Sequence, residues 1–338
     1  MNPELHPDFS LEGEQEIIKE MVKLTVGLME ESPEGCPLRV QHAKATACVT
    51  ATFEVATSIP TDLQYGVFSQ PGRSFEAIVR FSNAQGKITP DGDQTARGMA
   101  ITLLNVDGEQ AMLGNTATSQ DFLLVNHPVF PFPNPKEYHD LIVYKSFPFI
   151  GDLLALVYLQ FFEPAQLKIV KEIIKKNVDS PLGITYWSGS PYWLGTASGS
   201  AGQAVKYSAV PTLRAGKADA AKQSSPDYLR EAVAQQLAHS EVTFDFKIQR
   251  QGDPTAMPIE NTSIYWDEQE SVPVPVATVR IGKQTVDPQS ALEKRCEHMS
   301  FNPWNALKEH RPIGGINRLR KAVYEASFTE RERRKKRA

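Results

Sequence analysis

Cysteine is scarce in this chain: 338 residues contain only Cys36, Cys48 and Cys296. So few, so widely scattered, exclude a disulfide framework and a CxxC zinc site, and all three read as reduced thiols. Long apolar runs are also missing. The longest, FPFIGDLLALVYLQFF, is broken by Pro148, Gly151 and Asp152 and is too short to span a bilayer. The opening MNPELHPDFS lacks the basic and apolar regions of a secretory signal. A cytoplasmic protein without stable membrane insertion is the expectation. Positive charge is not in excess either: 36 Lys and Arg stand against 40 Asp and Glu, a net charge of -4. That argues against nucleic acid as a partner, because a polyanion needs a basic face. The basic end RERRKKRA reads as a frayed, solvated terminus. No GxSxG elbow, Walker loop, GxGxxG or HExxH occurs, and TPDGDQTARG lacks the ligand spacing of an EF-hand.

What is present is ample material for a core, with 41% hydrophobic and 22% charged residues. The length suits one large domain with a helical appendage. In EQEIIKEMVKLTVGLMEE, residues Ile17, Met21, Leu24 and Leu28 share one helical face. After Pro33 and Pro37 the character changes to β-prone runs separated by Gly, Asp and Pro: ATACVTATFEV, FEAIVRFSNA, RGMAITLLNV and QDFLLVNHPVF. Helical segments return from about Pro135, then EVTFDFKIQRQ and VPVPVATVRIG add strands, and the chain ends in helices. The order predicts an α+β protein with a closed antiparallel sheet and helices packed around it. The expected division is a helical arm over 1–34, a main domain over 35–328 and a basic tail over 329–338.

Four polar stretches stand out. Arg39 and His42 lie at the mouth of a strand in RVQHAKA, where a lone His is more often structural than catalytic. In VRFSN, Arg80 and Ser82 share a strand face by the period of two. QDFLLVNHPVFPF ends a buried-looking strand with Asn126, His127, Phe130 and Phe132. In NRLRKAVYEAS, Arg320 and Tyr324 are one helical turn apart. A guanidinium beside a phenol favours the phenolate, and tyrosinate is one of the few protein ligands for ferric haem.

Taken together these stretches resemble the haem catalase superfamily, in its short catalase-related branch. RVQHAKA is similar to the distal-histidine motif R-V-V-H-A-K-G, VRFSN to R-F-S, TARGMAITLLNVDG to D-P-R-G-F-A-V-K-F-Y, and RLRKAVY to the proximal R-x-x-x-Y. The matches run in order from about residue 35 to 328. The resemblance implies a catalase-like antiparallel β-barrel with haem b buried between the barrel and the C-terminal helix. It also implies that the later helices of full catalases and a flavodoxin-like domain are lacking. By position His42 matches the distal acid/base, Tyr324 the ligand to ferric iron, and Arg320 the arginine that keeps that tyrosine ionised. Arg39 and Arg80 match propionate partners, Ser82 the serine that orients the distal imidazole, and Phe130 the phenylalanine against the haem. Asn115 matches the distal asparagine, with Thr118 and Asn126 as alternatives. Gln41 is a departure, since catalases place valine there and allene oxide synthases threonine.

The implied function is a haem-dependent peroxidase or catalase-like enzyme that cleaves the O–O bond of hydrogen peroxide or organic hydroperoxides. A fatty-acid hydroperoxide isomerase or dehydratase and a non-catalytic haem-binding protein are the alternatives. Expected partners are the peroxide, a small-molecule reductant and a second copy of the chain in a homodimer.

Overall fold

The computed structural model describes residues 11–32, 35–112, 118–175, 178–212 and 225–336. Its centre is one antiparallel sheet of β1 (Ala45–Val55), β2 (Ser74–Asn83), β3 (Arg97–Leu104), β4 (Ser119–Val125), β5 (Tyr186–Trp187), β6 (Tyr192–Gly195), β7 (Gly202–Pro211), β8 (Val242–Arg250) and β9 (Val274–Ile281). The pairing order is β5-β4-β3-β2-β1-β9-β8-β7-β6, and β5 also pairs with β7. That last pairing closes eight strands into a barrel and leaves β6 as a flap along β7. Closure removes the unpaired edges that an open sheet of this width would present.

Aromatic side chains fill the barrel. Phe53, Phe68, Phe122 and Phe246 pack with ring centroids 4.8–6.4 Å apart. His310 plugs the same core, accepting from the Val67 amide at 3.0 Å and meeting the Tyr207 hydroxyl at 3.1 Å. Each such ring removed from water contributes roughly 1.5–3 kcal/mol, so this interior is the main source of stability. In β2 the N-terminal half alternates in burial, whereas every residue from Ala77 to Asn83 is buried. Val79 and Phe81 face the barrel core, and Arg80 and Ser82 lie on the opposite face, under a second layer.

That layer is helical. It comprises α1 (Glu14–Gly27), α2 (Pro135–Lys145), α3 (Gly151–Phe161), α4 (Pro164–Ile174), α5 (Tyr228–His239), α6 (Ala291–His298) and α7 (Gly315–Lys335). Asn134 caps α2 by accepting from the Glu137 amide, and Pro135 occupies its first turn. α1 packs on α7 through Ile18, Met21 and Leu319, and Arg318 of α7 bonds both Glu14 and Glu260. Of the 1–34 segment, α1 is therefore docked on the main body.

Two expectations need correction. Residues 329–335 continue α7, and Arg331 among them is buried, because its face of the helix turns to the end of α6, where it donates to the Glu297 and Met299 carbonyls. Cys48 and Cys296 are paired as a disulfide, leaving Cys36 as the free thiol. Spacing along the chain could not reveal this, since the tertiary fold brings β1 and α6 together across 248 residues with Cα atoms 6.6 Å apart.

Candidate active site

Between the outer surface of β2–β4 and the inner face of α7 lies a cavity. Its empty volume is about 1250 Å³, open solvent at its mouth included. The strand register builds its floor. Ser82 pairs with Gly98 and Arg80 with Ala100, and the next strand continues the two rows with Val125 and Leu123. Gly98 and Ala100 keep the centre of that floor low. A Cβ on Gly98 would lie 2.6 Å from His42 Cε1 and 3.0 Å from Ser82 Oγ, so only glycine fits there. α7 supplies the roof from one stripe, with Ile316, Arg320, Tyr324, Ser327 and Arg331 at helical spacing.

His42 stands at one wall on left-handed backbone, with φ 57°. A non-glycine residue there stores strain of roughly 1–3 kcal/mol, which the surroundings must outweigh. Its amide donates to Ala84 O at 3.1 Å and its carbonyl accepts from Arg80 Nη2 at 3.0 Å. The bulge between Ala45 and Ala47, just downstream, ends regular pairing and lets the chain turn there. His42 Nδ1 lies 2.9 Å from Ser82 Oγ. Burial, then the charges of Arg80, Arg320 and Arg39, push the imidazole down to about 3, so the ring is neutral near pH 7.

At the opposite wall the Arg320 guanidinium lies 5.5 Å from the Tyr324 ring centroid. It is held by Ser190 Oγ at 3.2 Å and Asn317 Oδ1 at 3.1 Å. Burial works to lower the Arg320 pKa, but Tyr324 and Tyr192 outweigh it and the net direction is upward.

A third feature is a cluster of arginines. Arg39 bonds Glu297 Oε2 at 2.7 Å and the carbonyls of Cys296 and Met299, while Arg80 reaches Glu297 Oε1 at 3.3 Å. Arg331 donates to the Glu297 and Met299 carbonyls. Burial, and for each the charge of another arginine in the cluster, hold all three below the ordinary guanidinium value, Arg39 and Arg80 at about 10. Arg39 and Arg80 thus share one carboxylate, Arg331 beside them reaches only backbone carbonyls, and the neighbouring Glu293 is engaged by Arg230 at 2.6 Å. The Nε atoms of Arg80 and Arg331 are buried without a hydrogen-bond partner. A flat ligand carrying two carboxylates would balance this charge and those donors, and the shallow glycine floor leaves room for its plane. The residues fit a haem, for which Tyr324 would offer an oxygen donor to iron and Arg39, Arg80 and Arg331 cations for propionates, with His42 and Ser82 in the same cavity.

Of the residues singled out in the sequence, Arg39, His42, Arg80, Ser82, Phe130, Arg320 and Tyr324 all line this one cavity. Asn115 lies outside the described residues. Thr118 is exposed, with its carbonyl bonded to the Val106 amide, and Asn126 accepts from the Arg97 amide through Oδ1. Neither lines the cavity, which corrects both as candidates for the distal amide. Gln41 does line it, and its amide Nε2 donates to Tyr138 Oη at 2.6 Å. Sequence reading missed Tyr138, Glu297 and Arg331. Arg331 had a signal, since it lies seven residues after Tyr324 on the same helix face.

Comparison with known proteins finds likeness to catalases. A family model described as catalase matches residues 17–146. A catalase-related peroxidase of Mycolicibacterium paratuberculosis is 26% identical over 302 residues, covering 87% of this chain and 88% of that protein. A catalase of Staphylococcus warneri is 32% identical over 104 residues, 30% of this chain and 18% of its own length. Among solved structures, catalase A from Saccharomyces cerevisiae superposes with a TM-score of 0.70 at 17% identity, over 88% of this chain and 62% of that one. A fungal catalase gives 0.69 at 15% identity, over 95% of this chain and 63% of that one. The chain spans less than two thirds of either solved catalase.

Proposed function

We propose that the chain is a member of the catalase family, from its likeness to the catalase family model over residues 17–146 and to a catalase-related peroxidase along most of its length, and that it is a haem-dependent peroxidase acting on hydrogen peroxide or an organic hydroperoxide. The observation that carries this reading is the neutral, strained His42 beside Ser82, in one cavity with the Arg320–Tyr324 pair and the arginine cluster.

Bound haem supplies the redox-active iron at which the O–O bond is cleaved. Tyr324 would hold that iron through its phenolic oxygen, with the Arg320 guanidinium beside its ring. Arg39, Arg80 and Arg331 would hold the propionates. His42 handles the proton. With Nδ1–H donating to Ser82 Oγ, the Nε2 lone pair is free to take the proton from the peroxide's near oxygen. The same nitrogen returns it to the far oxygen, which departs as water or alcohol with both electrons of the broken bond. A small-molecule reductant then supplies two electrons and two protons, and the near oxygen leaves as water.

The Gln41–Tyr138 pair favours single O–O cleavage of an organic hydroperoxide over disproportionation of hydrogen peroxide. It puts polar groups next to His42, where a second hydrogen peroxide would otherwise be oriented against an apolar wall. The test mixes haem-loaded protein with hydrogen peroxide and with linoleic acid hydroperoxide, following oxygen release and loss of diene absorbance. Consumption of the lipid hydroperoxide with little oxygen from hydrogen peroxide is expected. An inert protein in both assays would refute the enzymatic reading.

A further inference from the structure

The hairpin of α2, α3 and α4 shows an outer surface unlike the rest of the molecule. Among the described residues, nine of the fifteen large apolar side chains that face solvent lie between positions 144 and 162. A surface helix ordinarily carries polar groups on its outer face. α3 does not: Leu153, Leu156, Val157 and Phe161 line its exposed side at spacings of three and four, while Ala155, Tyr158 and Leu159 line the buried side. The turn before it adds Phe149, fully exposed on left-handed backbone with φ 65°, and Ile150. A phenylalanine held out in a strained turn gains nothing from water. The patch is too extensive and contiguous to be incidental.

The charge beside it points to the occupant. α4 packs against α3 and presents Lys168, Lys171 and Lys175, all exposed, at i, i+3 and i+7 on one face. The acidic Glu172 is turned to His127 at 3.8 Å, and Asp152 is 4.0 Å from Lys145. An apolar stripe with a tip aromatic, flanked by a lysine row, suits the headgroup boundary of an anionic bilayer, where the apolar face enters and the lysines meet phosphate. Insertion is shallow by necessity, because no helix among the described residues is long and apolar enough to cross a membrane.

We propose that the α2–α4 hairpin docks this protein peripherally on anionic phospholipid membranes. The inner side of the hairpin gives the docking a purpose. Tyr158 and Leu159 of α3 pack in one cluster with Phe130 and Tyr138, and those two rings also line the cavity. Two layers of side chains, Phe130 with Tyr138 and then Tyr158 with Leu159 of α3, therefore lie between the cavity and the membrane-facing side of that helix. The substrate class that follows, hydroperoxides of membrane fatty acyl chains, rests on the peroxidase reading above; the docking itself does not.

The test is co-sedimentation of the full chain with vesicles of phosphatidylcholine and phosphatidylglycerol in equal parts, against vesicles of phosphatidylcholine alone. The parent should pellet with the anionic vesicles and much less with the neutral ones. Phe149→Ser/Phe161→Ser and Lys168→Glu/Lys171→Glu should each weaken binding by about tenfold or more, with unchanged circular dichroism. A parent that stays in the supernatant, or variants that bind as well as the parent, overturns the proposal. So does sedimentation velocity showing a dimeric parent that Phe149→Ser/Phe161→Ser converts to a monomer, since the patch would then join two copies. Vesicle binding needs no peroxide turnover, so its failure is distinct from failure of the peroxidase reading, which is judged by hydroperoxide consumption.

Discussion

Gln41 and Tyr138 are joined by a 2.6 Å hydrogen bond, from the amide Nε2 to the phenol oxygen, at the wall of the cavity that holds His42. The sequence marks this position as a departure from the family motif; the tertiary structure shows that Gln41 lines the cavity and donates to a tyrosine 97 residues away. Burial, working against that donated bond, pushes Tyr138 up to about 12, so the phenol stays neutral and can donate in turn.

If this pair limits hydrogen peroxide disproportionation, Gln41→Val and Tyr138→Phe should act alike. Each should keep haem and raise oxygen release by roughly two- to tenfold, the range of one net hydrogen bond. An oxygen electrode decides it. Equal rates in parent and both variants would show that the pair only braces α2 against the loop.

His42→Ala is expected to retain haem and slow O–O cleavage by roughly two to four orders of magnitude, the usual contribution of a positioned acid/base. Stopped-flow spectra after mixing with peroxide measure it. Ser82→Ala should cost less, since Ser82 only orients the ring, and its effect should include an altered pH profile. Parent-like kinetics in His42→Ala would make His42 a structural residue.

Tyr324→Phe removes the oxygen proposed to bind iron. Most of the haem should be lost, or the Soret band clearly moved, in the purified variant. An unchanged spectrum would remove Tyr324 from the iron and with it the central assignment.

Arg331 offers a check on the charge argument. Arg331→Gln should raise the haem dissociation rate by about tenfold or more, because a buried charge partner is lost. Arg331→Lys should recover only part, since an ammonium cannot reproduce the fork of a guanidinium. Haem transfer to apomyoglobin gives the rates. If Arg331→Gln holds haem as tightly as the parent, the third arginine is only an anchor for α6.

Acid should destabilise the haem-free protein before its carboxylates titrate broadly. Burial is the main cause that holds both His42 and His310 near 3, with nearby arginines adding to it at His42, so between about 3 and the ordinary 6.5 the unfolded chain binds protons that the folded chain refuses. Stability therefore rises with pH through that window. Asp121, raised to about 6 chiefly by burial, works in the opposite sense between its ordinary value and 6. At pH 5 the imidazoles cost about 2 kcal/mol each and the carboxyl offsets about 1, so a net loss of about 3 kcal/mol relative to pH 7 is expected. Urea midpoints at the two pH values measure it, and identical midpoints would show that the imidazoles are not kept neutral.

The barrel and the order of its helices were legible in the sequence because they follow from local periodicity. Alternating apolar residues in FEAIVRF and RGMAITLL can bury one face only as strands, and the three-four spacing in α1 and α7 can do so only as helices. Much of the site was legible too, because His42, Arg80–Ser82 and Arg320–Tyr324 sit in short local motifs. What the sequence could not decide were the partners brought together by folding. Glu297 between Arg39 and Arg80, Cys48 against Cys296, and Tyr138 on Gln41 each join segments far apart in the chain, where no spacing rule operates. The basic end misled for a related reason. Charge composition makes RERRKK look solvated, but the apolar and basic side chains of α7 follow the helix phase, and that phase carries Arg331 into the cavity while Arg333 faces water. Composition reports what a segment contains; only packing determines which side of it meets the core.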